Sequence, residues 1–461
     1  MNVKKWIGDK AFYRTVLAVA VPIMIQNGFT NLVNLLDNIM VGRLGTEAMS
    51  GVSIVNQFVF VFNLLIFGAI SAAGIFTAQY HGLGDEEGVR QTFRLKMVIN
   101  LSAGVIGVIV FALCGGALIG SFLHDGTVGD LELTMREGLR YLGWMLIGFV
   151  PYAISQAYAS TMREIGETLL PMIASIAAVV TNFILNCILI FGLLGLPALG
   201  VAGAAVATVA SRFVELAVLC VWGHTHTDRY AFLHGAYRHF RIARTLINRV
   251  TVKGLPLMAN ELFWALAVTM RNQCYSTRGL DVVAAQNINA TIENLVSVVY
   301  MAVGTSIAIV VGNLLGAGKI EEAKDADRKM LVFSIGCALL MAGMLASLSG
   351  AFPRLYETEP AVRVLAGYMM IVTAVATPFR SFAHAAYFTL RSGGKVLITL
   401  LFDSVYMWVI VMPVAAVLAY CTGINVYWLF AICQGVEAAK FILGLLLLKK
   451  GKWATQLVEK T

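Results

Sequence analysis

A single ungapped offset of 234 residues lays the first third of the chain onto its second half. In this register Pro22 meets Pro256, Asn38 meets Asn272, Gly45 meets Gly279, and Gly82 and Gly84 meet Gly316 and Gly318. Glu87 then meets Glu321 and Arg94 meets Arg328. Turn formers and charges coincide together, so the chain is a tandem duplication and its fold must be two versions of one unit. The repeated unit is strongly apolar: 59% of residues are hydrophobic, 13% are charged and the mean hydropathy is +0.78. No single soluble core hides that much apolar surface, so lipid is the solvent. Duplicated membrane halves commonly close around a site at their interface, and moving one against the other is how alternating access is built.

Apolar runs of about 20 residues, the length that spans a bilayer, occur near 16–40, 49–74, 97–119, 138–160, 168–191, 199–222, 250–275, 283–312, 331–351, 362–389, 396–420 and 425–448. They predict an all-α polytopic membrane protein of twelve spans, six per half. The expected parts are an N-terminal lobe at 1–224, a cytoplasmic linker at 225–250 and a C-terminal lobe at 251–461. With the N-terminus cytoplasmic, 24 of the 34 Lys and Arg fall in cytoplasmic segments and six on the opposite side, the last four lying within spans. This asymmetry places both termini in the cytoplasm, in an inner-membrane protein, and accounts for most of the +8 net charge without nucleic acid. Lys4 and Lys5 run into the first span with no small-residue cleavage site, so no removable signal peptide is expected.

Several chemistries find no support. The seven cysteines sit singly in apolar runs, without CxxC spacing or histidine partners, and read as packing. Gly316-Ala-Gly-Lys319 lacks the earlier glycine and the Ser or Thr of a phosphate loop, having Asn313 and Ile320 instead. His224, His226, His234 and His239 share one loop and read as a solvated face. No metal, cofactor or catalytic residue is expected, and an enzyme would need a nucleophile with its base, which is not visible.

Chemistry is therefore sought among ionisable groups inside the spans, each costing about 2.5–3.5 kcal/mol at mid-membrane. These are Asp37, Arg212, Glu215, Glu261, Arg271, Glu293, Arg380, Asp403, Glu437 and Lys440. In the first span Gln26, Thr30 and Asp37 form one row and Asn27, Asn31, Asn34 and Asn38 a second, side by side on one polar face. That face either lines a water-filled cavity or glues helices through amides; five amides and a carboxylate exceed what glue requires, which favours a cavity. Pro22 lies a turn earlier and predicts a bend. Asn182 and Asn186, with Thr208, are in reach of Asp37 if their spans bundle. Glu261 opens the seventh span, and Gln286, Asn289, Glu293 and Ser297 follow one another along the eighth. Arg212 with Glu215, and Glu437 with Lys440, have the i, i+3 spacing of ion pairs.

Three stretches, Ala20-Val-Pro-Ile-Met-Ile-Gln26, Asp37-Asn-Ile-Met-Val-Gly-Arg-Leu-Gly45 and Gln79-Tyr-His-Gly-Leu-Gly84, resemble the opening of the multidrug and toxic compound extrusion (MATE) transporters. The resemblance continues through Met162-Arg-Glu-Ile-Gly-Glu167, Gly200-Val-Ala-Gly-Ala-Ala, Gly254-Leu-Pro-Leu-Met258 and Val311-Gly-Asn-Leu-Leu-Gly-Ala-Gly318, with mixed NorM-like and DinF-like features. It implies two six-helix lobes in a V, and an antiporter exchanging small organic cations for H+ or Na+. It also implies that Asp37, Asn182 and Thr208 stand at the first-lobe site, with Asn186 where DinF-like members have a second aspartate. Glu261 stands for the seventh-span glutamate of NorM-type members. Arg380 replaces their tenth-span aspartate, which leaves Asp37 and Glu261 as the carboxylates expected to carry the ion. Arg271 and Arg380, facing a cavity, would oppose cations. A flippase for lipid-linked or anionic substrates in the same superfamily is the alternative. The lipid bilayer is the expected partner, and the chain is expected to act as a monomer.

Overall fold

A computed structural model describes residues 6–123, 130–195, 197–238, 241–356 and 358–460; Lys4, Lys5 and His239 lie outside them. Among the described residues every regular element is helical. The first half contains α1 (Lys10–Gly42), α2 (Thr46–Leu83), α3 (Glu86–Gly120), α4 (Leu131–Glu164), α5 (Leu169–Phe191) and α6 (Val201–Thr225). The second contains α7 (Arg244–Ser276), α8 (Leu280–Gly316), α9 (Ile320–Leu348), α10 (Pro360–Ser392), α11 (Val396–Cys421) and α12 (Val426–Lys449). Ten of these are long and apolar enough to cross a membrane; α4 and α7 are comparably long but more polar.

Most helices outrun their apolar segments. At about 1.5 Å per residue the 33 residues of α1 reach about 50 Å, against about 30 Å of hydrocarbon. Capping explains the early start of α3, where the Asp85 carboxylate accepts from the Gly88 amide at 2.9 Å. Lys96, one of the basic residues assigned to a cytoplasmic segment, is consequently helical and buried, and Asp327 near the start of α9 is buried as well. Lys96 pairs with Glu164 and donates to Thr161 Oγ1 at 3.2 Å, and Asp327 accepts from Thr389 Oγ1.

The duplication extends to backbone conformation. Gly45 and Gly279 have φ of 117° and 116°, and Gly84 and Gly318 have 73° and 74°. All four are left-handed values that favour glycine, so each repeat uses the same turn at the same place.

Two compact units are present, one of residues 25–77 with 85–254, the other of residues up to Met24 with 78–84 and 255–460. They are cut differently from the lobes expected at 1–224 and 251–461. Val16, Val19 and Ile23 of α1 are buried among Val303, Ile307, Ala302 and Ile309 of α8, which draws the start of α1 into the second unit. The seams fall just after Pro22 in α1 and just before Pro256 in α7, an equivalent pair. α1 runs on through Pro22 as one helix.

In the first unit the linker between α6 and α7 is a folded clasp. Arg94 of α3 donates to the carbonyls of Ala236 (2.7 Å), Gly235 (3.1 Å) and Arg241 (3.2 Å), and the Phe232 ring meets Phe93 edge-on. Of the histidines there, His224 is hydrogen-bonded with Tyr158 at 3.0 Å and His226 stacks on Trp222.

In the second unit the ends of α2 and α8 touch so closely that only glycine fits. A Cβ added at Gly82 would strike the Asn313 carbonyl, and one added at Gly316 the Gln79 carbonyl. The segment after α12 covers this crossing. Gln79 Nε2 donates to the Ser392 (3.0 Å) and Thr455 (3.2 Å) carbonyls, the Leu457 amide donates to Gln79 Oε1 at 2.6 Å, and Gln456 Nε2 donates to the Gly316 carbonyl at 3.0 Å.

Overpacking against rigid backbone costs about 1–3 kcal/mol, so Gly316→Ala is expected to lower the thermal unfolding midpoint in detergent. Gly336→Ala is the contrast: that glycine lies inside α9 with nothing within 4 Å, and the change is expected to raise the midpoint, by about 0.5–1 kcal/mol of helix propensity. Equal effects of the two substitutions would contradict the crossing.

Candidate functional site

The first polar cluster lies in the first unit, where α5 and α6 approach closely: a Cβ at Gly203 would stand 2.6 Å from the Leu189 carbonyl. The small residues from Gly200 onward permit that approach, and it brings Asn182 and Asn186 beside Thr208. Asn186 Nδ2 donates to Asp37 Oδ1 at 2.5 Å, so α1 joins the same cluster. Asn186 and Asn182 are buried, with 1% and 5% of their surface exposed, while Asp37 is half-buried.

Two hydrogen-bond arrangements connect these groups. In one, Asn186 Nδ2 also donates to Asn182 Oδ1 at 3.2 Å and Asn182 Nδ2 donates to Thr208 Oγ1 at 3.2 Å, while Thr208 donates to the Ala204 carbonyl. This leaves an amide oxygen facing Asp37, which suits a protonated carboxyl that donates. In the other, the Asn182 amide is turned, its nitrogen donates to Asp37 Oδ1 and Oδ2 at 3.0 and 3.1 Å, and its oxygen accepts from Thr208. This suits an ionised carboxylate, which only accepts. Among the described residues no Lys or Arg pairs with Asp37 within 4 Å, so its neighbours hydrogen-bond its charge without cancelling it.

Gln26 and Asn34, expected on the same face, do not join this cluster. Gln26 Oε1 accepts from Arg163 at 3.5 Å, and Asn34 is exposed. The expected Arg212–Glu215 ion pair is absent: the guanidinium of Arg212 lies over the Tyr152 ring, 4.6 Å from its centre.

The second cluster lies in the second unit and is built of charges in pairs. Arg380 of α10 contacts Glu293 of α8 and Gln434 of α12, and reaches Glu437 of α12 at 3.3 Å. Glu437 also pairs with Arg271 of α7. Lys440 pairs with Asp403 of α11 at 2.6 Å, and Asp403 accepts from Asn260 Nδ2 at 3.1 Å. The expected Glu437–Lys440 pair therefore does not form, since each residue has a partner on another helix. Glu261 accepts from the Tyr387 hydroxyl at 3.0 Å. Asn289 reaches Glu293 at 3.5 Å, while Gln286 turns to Asn272 at 2.8 Å. Arg271 and Arg380, expected to oppose cations if they face a cavity, are each paired with a carboxylate, Arg271 with Glu437 and Arg380 with Glu293 and Glu437.

Asn260, Tyr387, Gln434 and Tyr152 escaped the sequence reading. None carries a charge, and an isolated polar residue in an apolar run gives no periodic signal. Asn260 alone had a pointer, its place beside Glu261.

A family model described as MatE matches residues 22–188 and 257–419. A probable multidrug resistance protein NorM of Thermotoga maritima is 24% identical over 96% of this chain and 94% of its own length. The multidrug resistance protein PmpM of Pseudomonas aeruginosa is also 24% identical, over 88% and 83%. Among solved structures, the Vibrio cholerae MATE transporter VcmN matches with a TM-score of 0.85 at 19% identity, over 96% of this chain and 98% of that one. A Pyrococcus furiosus transporter of the MOP superfamily matches with a TM-score of 0.84 at 21% identity, over 98% of both chains. These similarities establish the twelve-helix fold.

Proposed function

The chain belongs to the MatE family, and from that premise we propose that it is a secondary antiporter that exports small organic cations in exchange for H+ or Na+. It is a multi-pass membrane transporter and not an enzyme. In the proposed cycle two lobes, 1–224 and 251–461, open alternately to either side of the inner membrane, with both termini cytoplasmic and the protein acting as a monomer. Relatives named as multidrug resistance proteins support drugs as the cargo.

The observation that carries the reading is Asp37, a carboxylate inside a span whose contacts are neutral amides. A charge held this way attracts a proton or an organic cation, and the two compete for it. When the ion occupies Asp37, the attraction for the drug is lost and release follows. One proton in for one monovalent cation out moves no net charge, so the drive is the concentration ratio of the ion, about 1.4 kcal/mol per tenfold. Glu261, hydrogen-bonded by Tyr387, is the second carboxylate in the proposal. Neutralised arginines in the second cluster weigh against an anionic or lipid-linked cargo.

Uptake of a fluorescent organic cation into inverted vesicles tests this under an imposed proton or sodium gradient. Wild type is expected to respond to one gradient, and Glu261→Gln to respond more weakly. Flat traces under both gradients would overturn the proposal.

A further inference from the structure

Arg380 stands in the middle of α10 with its guanidinium among oxygens. Glu293 Oε1 approaches from α8, and Gln434 Oε1 and Glu437 Oε2 from α12. Three acceptor oxygens from two other helices, two of them carboxylate, are the donor set that a bare hard cation takes. Here the place is filled by the protein's own side chain, and an arginine never loses its charge in a protein. The bookkeeping around it closes: Arg271 and Arg380 against Glu293 and Glu437, and Lys440 against Asp403. Among the described residues no Lys or Arg pairs with Asp37, whose hydrogen-bond partners are amides.

We propose that Arg380 is a tethered cation occupying an oxygen-lined cation site in the second unit, so that free ions are excluded there and ion specificity is set by other carboxylates. Tethering makes the occupant permanent, because a side chain fixed in place outcompetes any ion at millimolar concentration. The site itself would accept sodium or a small guanidinium compound once the side chain is removed. The consequence for transport rests on the antiport reading above; the existence of the site does not.

The test is the thermal unfolding midpoint of the purified full chain in detergent, at constant ionic strength, in choline, sodium or millimolar methylguanidinium chloride. The wild-type midpoint is expected to be the same in all three. Arg380→Ala is expected to unfold at lower temperature, and methylguanidinium or sodium to restore most of the lost midpoint with saturation. The double variant Arg380→Gln with Glu293→Gln, which removes the pair together, is expected to lose that response. Where Arg380→Ala yields no folded protein, Arg380→Gln takes its place and is read against Arg380→Lys, which keeps a tethered charge: sodium should raise the midpoint of the first and not the second. No cation response in the neutral variants, or a sodium response in wild type as large as theirs, overturns the proposal. Cation rescue without vesicle transport would sink the antiport reading and leave this site standing; transport without rescue would do the reverse.

Discussion

Asp37→Asn is expected to reduce ion-driven uptake in inverted vesicles to the rate of protein-free vesicles. The substitution keeps shape and removes only charge, so the packing of α1, α5 and α6 persists. What disappears is the negative charge that Asn186 and the turned Asn182 amide hydrogen-bond, together with one of its two acceptor oxygens. A hydrogen bond to a charged group contributes about 1.5–3 kcal/mol, so affinity for a monovalent organic cation should fall roughly 10- to 150-fold, which equilibrium binding in detergent can read separately from transport. The unfolding midpoint should move little, because a neutral amide is easier to bury than a carboxylate. Wild-type uptake in this variant would remove Asp37 from the mechanism.

Glu437→Leu is expected to be the most destabilising single change in the second unit. Glu437 is shared by Arg271 and Arg380, and its side chain is 13% exposed. Removing one partner of a buried pair costs about 3–5 kcal/mol, because the charge left behind is uncompensated. Two guanidinium groups are left short here. Thermal unfolding of the purified protein checks the prediction, with Glu322→Ala as reference. That residue pairs with Lys319 on the surface, both more than half exposed, and its loss should stay within about 0.5 kcal/mol. Comparable midpoints for the two variants would mean that water reaches Glu437 and screens it.

The helices and the first cluster were legible because their signals are periodic. Apolar runs set the spans, and amides one turn apart on the fifth span, with the carboxylate at the end of the first polar face, anticipated the contacts of Asp37 with Asn186 and Asn182. The second cluster was legible only as a set of charges. Spacing offered Glu437 and Lys440 to each other, yet Asp403, more than thirty positions away in sequence, wins Lys440. That choice depends on how helices are arranged around one another, which no local pattern encodes. Span ends misled for a related reason: hydropathy marks where lipid stops, while a cap such as Asp85 decides where the helix does. Lys96 was therefore counted among the cytoplasmic loop charges although it is buried in α3.

The crossing of α2 and α8 also carries a record of ancestry. Gly82 abuts residue 313 and Gly316 abuts residue 79, and each of these numbers is the other's plus or minus the repeat length of 234. Residue i touching j while j touches i is the mark of an isologous contact between identical subunits. Before the gene doubled, the glycine at position 82 of one copy would have met residue 79 of the other across a twofold axis, and a single mutation there would have struck the contact twice. Fusion has since freed the two sides to diverge: Gln79 is now clasped by the segment after α12, while its counterpart Asn313 keeps only the shorter amide.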